Sequence, residues 1–171
     1  MPLVGEQLEQ AQYGCIFCRT RREKSVVQAL EEQYPGLRAT AVSQIKHRSE
    51  QGRKYTEESI LLPGYVFFRS EIEPINAFHV QDAIRLLKSS DGAWQLRNSD
   101  LRFVEFVFEH GGIIGFSKVR NVGDHVKIID GPLKAMEGQI VKIDRRNRNG
   151  LVEFRFDDRV WRIWLAFEVV E

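Results

Sequence analysis

Cysteine is scarce, with two residues in 171, Cys15 and Cys18. A structural zinc site needs four ligands, usually two pairs at short spacing, and the histidines at 47, 79, 110 and 125 stand singly, so no metal site is expected. A thioredoxin-like redox pair belongs at a helix N-terminus, whereas Tyr13 to Cys18 reads as a strand on which positions 15 and 18 face opposite sides. Both cysteines are therefore expected to be reduced and packed. No apolar run approaches the roughly 18 to 20 residues that cross a bilayer, and the first residues carry Glu6 and Glu9 where an export signal would be basic. The chain is expected to be soluble and cytoplasmic, with no membrane partner. Net charge is nearly absent too, since 25 Lys+Arg against 24 Asp+Glu leave +1. No molecule-wide field draws such a protein to nucleic acid, so binding of that kind must come from local clusters. Nucleophile-elbow, phosphate-cradling and metal-ligand spacings are missing as well. Asp157 and Asp158 are adjacent acids, but neighbours on a strand point apart, so they read as a turn rather than a carboxylate dyad. An enzyme is rejected, and no cofactor is expected.

What is present begins with 43% hydrophobic and 11% aromatic residues, enough to exclude a disordered chain. The length allows one large domain or two small ones. After the strand at 13–18, Thr20 and Glu23 have capping-box spacing, and Val26, Val27, Ala29, Leu30 and Tyr34 recur with helical period up to Pro35 and Gly36. Arg38 to Ile45 alternates as a second strand, and Lys46 to Glu58 is polar around Gly52, a hairpin tip or loop. Ile60 to Phe68 is apolar on both faces of the pleat in its second half, as in a covered central strand. Pro74 suits the first turn of a helix reaching Gln81, Ile84 to Lys88 reads as a strand, and Asp91 and Gly92 as a turn. Ser99 is placed to cap a helix from Leu101 to Glu109 that is apolar over most of its girth. His110 to Gly115 then breaks the pattern, and five short strands follow: Val126 to Ile129, Gln139 to Ile143, Leu151 to Phe156, Val160 to Leu165 and Glu168 to Val170. The fold class is α+β, a sheet covered by helices followed by a small barrel.

Three basic clusters sit on this neutral chain: Arg19 to Lys24, Arg38 to Lys54, and Lys142 to Arg148. A solvated face is the simple reading of the first. The third crowds Lys142, Arg145, Arg146 and Arg148 into a turn between strands, where cations repel one another unless an anion is present, and phosphate is the economical partner.

Gly123 to Asp144 resembles the KOW motif of the NusG family of transcription elongation factors, and Leu61 to Phe67 resembles the signature strand of that family's N-terminal domain. Gly131 and Gly138 supply turn or bulge geometry there, with Pro132 pre-setting the turn. The resemblance implies a NusG-like sheet-and-helix domain at 1–110, a linker at 111–121 and a five-stranded KOW β-barrel at 122–171. It further implies that the N-terminal domain docks on the clamp helices of the largest RNA polymerase subunit through Tyr13, Phe17, Val26, Leu30, Leu62, Pro63, Gly64 and Tyr65. Housekeeping members carry an aromatic-Gly-Arg turn for Rho or the ribosome, and here the stretch reads Phe156, Asp157, Asp158, Arg159. That departure and the rich basic turn are similar to the specialised LoaP subgroup, processive antiterminators that engage an RNA hairpin in a leader transcript. RNA binding is accordingly assigned to Lys142, Arg145, Arg146, Arg148 and Lys134 of a monomer. A housekeeping elongation and termination factor is the alternative, and a KOW-bearing ribosome-associated protein a third reading.

Overall fold

The computed structural model describes residues 6–74 and 79–171. In chain order the first elements are strand β1 (Gln7–Cys18), helix α1 (Glu23–Gln33), β2 (Leu37–Thr40), β3 (Ser43–Glu50), β4 (Arg53–Ile60) and β5 (Tyr65–Ile72). They are followed by β6 (Ala83–Leu86), α2 (Asn98–Glu109), β7 (Ile113–Ile114), β8 (Ser117–Val122) and β9 (His125–Asp130). The one-turn helix α3 (Pro132–Ala135), β10 (Ile140–Asp144), β11 (Asn149–Phe156) and β12 (Arg159–Val169) complete the chain. No helix among the described residues is long and apolar enough to cross a membrane.

Two compact units form. The first gathers the chain through Val42 and Leu62–Gly112; the second takes Ser43–Leu61 and Ile113–Glu171. In the first unit an antiparallel sheet has the order β2-β5-β1-β6, which puts the apolar β5 in the interior of the sheet, as its sequence predicts. Period two sorts its side chains. Ile16 and Cys18 of β1 join Val66 and Phe68 of β5, Val26 and Leu30 of the first helix, and Tyr34 just after it in one buried core. On the opposite face Phe17 meets Tyr65 at 4.5 Å, and Phe67 meets Phe103 of α2 edge-on at 6.0 Å. Tyr13 meets Phe108 of the same helix at 5.4 Å, which accounts for that helix's wide apolar girth. Gly14 is required by packing: a Cβ there would lie 2.3 Å from Phe68 Cζ.

Local details differ from expectation where a longer-range partner wins. The capping box does not close. Helix α1 starts after Arg22, and the Glu23 carboxylate accepts from Arg21 N–H at 3.2 Å and from Gly64 N–H at 2.9 Å. Glu23, only 3% exposed, thus fastens the helix start to the turn before β5. Ser99 lies inside the first turn of α2, whose N-cap is Arg97 with no side-chain cap. The stretch expected as one strand from Arg38 to Ile45 splits into β2 and β3, which enter different sheets. The helix expected from Pro74 to Gln81 falls largely on residues 75–78, outside the described ones.

The second unit contains the β3–β4 hairpin, paired from Ser43↔Ile60 to Glu50↔Arg53 around Gln51 and Gly52 at φ of 50° and 78°. Strand β3 also pairs in parallel with β7 through Ser43↔Ile113 and Gln44↔Ile114. The barrel strands follow the order β10-β11-β12-β8-β9. Two expectations change here. Residues 111–121, expected as a linker, carry β7 and most of β8, because Ser117 and Val119 point into the core between exposed Lys118 and Arg120. The strands expected at 160–165 and 168–170 are one strand, since no Gly or Pro interrupts Leu165 to Glu168; β12 pairs antiparallel with β11 and then parallel with β8 from Phe167 on. Gly131 has φ +97°, and a Cβ there would meet Ser117 Cα at 2.7 Å, while Gly138 stands in open space, without the obstruction expected of it.

Replacing Gly14 by Ala should overpack Phe68 and lower the denaturation midpoint, a cost of about 1–3 kcal/mol; an unchanged midpoint would show that the ring moves aside freely. Cys18 is pushed up to about 11, by burial first and then by the charges of Glu23 and Asp82. Both cysteines are buried, and neither is in a disulfide. A thiol-disulfide reagent at about pH 8 should therefore label neither in native protein and both in denaturant, because the thiolate is the reactive form. Rapid native labelling would contradict this packing.

Candidate nucleic-acid interface

The third basic cluster lies where its sequence places it, between β10 and β11. Pairing of Ile143↔Gly150 and Asp144↔Asn149 leaves Arg145 to Arg148 as the turn. Asp144 builds it: its carboxylate accepts Asn147 N–H at 3.0 Å and the Asn147 side-chain amide at 2.8 Å. The chain then passes through Arg148 at φ 55°. Those bonds, the backbone one first and then the side-chain amide, hold the Asp144 carboxyl below its ordinary range, with the positive charge of Lys142 a smaller cause.

The turn does not stand alone. Phe167 N–H donates to the Arg148 carbonyl at 2.9 Å, tying the turn to β12. The Phe167 carbonyl oxygen lies 3.2 Å from His47 Nε2 on β3, and the His47 ring stacks on Phe116 at 4.4 Å and 14°. The β3–β4 hairpin is thereby held beside the barrel turn, and the two enclose an open cleft of about 380 Å³. Arg48, Lys54 and Tyr55 line it from the hairpin, Arg146 and Arg148 from the turn. No carboxylate is among its lining residues.

The expected RNA-binding set divides accordingly. Arg146 and Arg148 face the cleft. Arg145 turns away, its Nη1 donating to the Asp124 carbonyl at 2.7 Å. Lys134 pairs with Glu137 at 3.0 Å on the short helix α3, and Lys142 is exposed on β10. Arg48, Lys54 and Tyr55 were not in that set. Their signal was the second basic cluster, but Arg38 of that cluster sits on β2 in the other unit, and nothing local says that the hairpin meets the turn. In the first cluster, Arg19 and Arg22 lie 4.0 and 3.9 Å from Asp82 on the surface, in keeping with a solvated face.

The expected polymerase-binding set also divides. Val26 and Leu30 are fully buried, because their i, i+4 row is the face that α1 turns to the sheet. Leu62, Gly64 and Tyr65 are buried as well, Gly64 by its bond to Glu23. These five are structural and do not present a docking surface. Pro63 is exposed, Tyr13 and Phe17 are half-buried, and the Arg85 guanidinium lies 4.5 Å from the Phe17 ring centre. Asp157 and Asp158 form the expected turn, at φ 56° and 55°. Trp161 flanks it, donating from Nε1 to the Phe156 carbonyl at 3.2 Å with Arg159 over its ring.

A carboxyl titration followed by NMR should place Asp144 below the ordinary aspartate midpoint of about 3.9. A depressed folded-state value means that the turn's extra stability is present above the unfolded midpoint and is lost as pH falls through the folded one. In Asn147→Ala, which keeps the backbone N–H and loses the side-chain amide, the midpoint should rise part of the way toward the ordinary value, whereas an unmoved midpoint would remove the side-chain bond as a cause.

Residues 122–160 match the family model of the KOW motif. No curated protein matches the chain. Among solved structures the chain is similar to NusG of Thermotoga maritima, from a study of domain interaction in that protein. That match has 20% identity and a TM-score of 0.50, and covers 92% of this chain and 94% of that one. With β1, α1, β2, β5, β6 and α2 forming the first unit and five strands carrying the KOW motif in the second, the chain has an α+β NusG-like fold with a KOW barrel.

Proposed function

We propose that this protein is a specialised NusG-type transcription elongation factor, an antiterminator of the LoaP kind. The observation that carries the reading is the KOW motif on a NusG-like fold, joined to a barrel turn whose Arg146 and Arg148 face a cleft without carboxylates. In this reading the first unit binds the clamp helices of the largest RNA polymerase subunit, and the barrel grips a hairpin in the nascent leader transcript. Tyr13, Phe17 and Pro63 are the members of the expected docking set that solvent reaches.

The physical logic is a tether. A helical RNA stem hides its bases in a deep narrow groove, so a protein turn holds phosphates and 2′-hydroxyls and reads the unpaired loop. Arginine suits this, since one guanidinium can hold a phosphate through two parallel hydrogen bonds. RNA held by one unit raises the effective concentration of the other beside the enzyme that is transcribing it. The acids at the Asp157–Asp158 turn favour this specialised role over a housekeeping one, because they stand where the family's Rho- and ribosome-contacting turn has an aromatic residue and a glycine. The protein acts as a cytoplasmic monomer without a cofactor.

In purified transcription with RNA polymerase, the protein should raise read-through of a terminator only when the leader hairpin precedes it. Phe17→Ala with Tyr13→Ala should reduce capture of polymerase at least several-fold while the circular dichroism spectrum is kept. Read-through that ignores the leader would favour the housekeeping reading, and failure of the wild-type protein to capture polymerase would end both.

A further inference from the structure

We propose that the β3–β4 hairpin is the second wall of the RNA site, holding an unpaired loop nucleotide between Tyr55 and the Arg146–Arg148 turn. The inference rests on the reading of the barrel turn as an RNA site and adds to it the place where the loop is held. Three observations carry it. First, the hairpin and the turn line one cleft within one compact unit, so both walls are present before any ligand arrives. Second, the walls offer complementary chemistry. Lys54, Arg146 and Arg148 bring cations into a cleft lined by no carboxylate, and Arg48 is fixed by Glu57 at 2.6 Å through its Nε. A guanidinium has five donor hydrogens, so that bond leaves the rest of the group able to meet phosphate. Tyr55 lies across from Arg48 in the hairpin register and is 43% exposed, a large aromatic surface in a cleft where cations are gathered. Third, the size selects the ligand. A cleft of about 380 Å³ lies toward the small end of ligand sites, about 300–1,000 Å³. That volume suits one nucleotide with its phosphate.

The chemistry recognised is therefore a phosphodiester beside a stackable base, supplied by an RNA loop. Base–aromatic stacking tolerates any base, so Tyr55 contributes affinity, whereas the stem grip on the turn contributes register.

The test uses full-length protein and fluorescence anisotropy with three probes: a stem-loop RNA with a uridine loop, the same stem without its loop, and single-stranded DNA of the loop sequence. Tyr55→Ala should weaken the stem-loop roughly ten-fold and leave the bare stem within about two-fold. Lys54→Gln should lower the slope of log affinity against log salt by about 0.7, one single-strand phosphate contact. Both side chains are exposed, and equal melting temperatures verify that each variant is folded. Stem-loop binding that survives both hairpin variants but is lost in Arg146→Gln/Arg148→Gln would overturn the second wall while leaving the RNA role of the turn standing. Wild-type protein that binds neither RNA probe would overturn both. DNA bound as tightly as the stem-loop would overturn the assignment to RNA.

Discussion

The peptide groups of Phe167 join the two walls of the cleft in the second unit. Its N–H donates to the Arg148 carbonyl and its own carbonyl faces His47 Nε2, so one residue joins the barrel turn to a hairpin that lies far away in sequence. The ring of Phe167 is fully buried, which fixes the backbone from which both bonds project. Each such bond has a net worth of only about 0.5–1.5 kcal/mol, but leaving a buried partner unsatisfied costs about 1–3 kcal/mol. The arrangement depends on β12 running without a break past Leu165. At Phe167 the strand leaves β11 and takes β8 as partner, and that change of partner is where a backbone can serve elements outside its own ladder.

The first unit obeys a different constraint, namely that its sheet is covered on both faces. Alternation along β1 and β5 sends Ile16, Cys18, Val66 and Phe68 to the helix α1 and Phe17, Tyr65 and Phe67 to the aromatic face that α2 covers in part. Phe68 fits because Gly14 has no side chain, and the entrance to α1 is fixed because Glu23 reaches the Gly64 amide. A partner of this unit must therefore use what the two layers leave accessible, such as Tyr13, Phe17 and Pro63. The proposed function divides the labour accordingly: apolar contact for the first unit, phosphate contact for the second.

Much of this was legible in the sequence, for physical reasons. Strand β5, helix α2 and the turn at Gly52 announce themselves because their apolar periods or turn residues are local properties, whereas the polar strand β4 beside that turn read as hairpin tip or loop. The basic turn was legible for the same reason, since Lys142 to Arg148 are contiguous. What escaped depends on partners distant in the chain. Glu23 has capping-box spacing, yet Gly64 lies beyond the reach of local pattern. Strand β8 is short, and its charged exposed residues hide the alternation of Ser117 and Val119. Val26 and Leu30 look alike as core or as docking surface until the sheet is in place. The cleft escaped most completely, because Arg48, Lys54 and Tyr55 meet Arg146 and Arg148 only through Phe167 and the parallel pairing of β3 with β7.

The most direct test of the account is an NMR titration of the full chain with a stem-loop RNA, following backbone and histidine-ring signals together. If the hairpin and the barrel turn form one nucleic-acid site, residues 47–49, 54–55 and 146–149 should shift along a single saturation curve, with His47 moving in step with Arg148. Shifts confined to the exposed faces of β8 and β9, or a hairpin that stays silent while the turn responds, would contradict it.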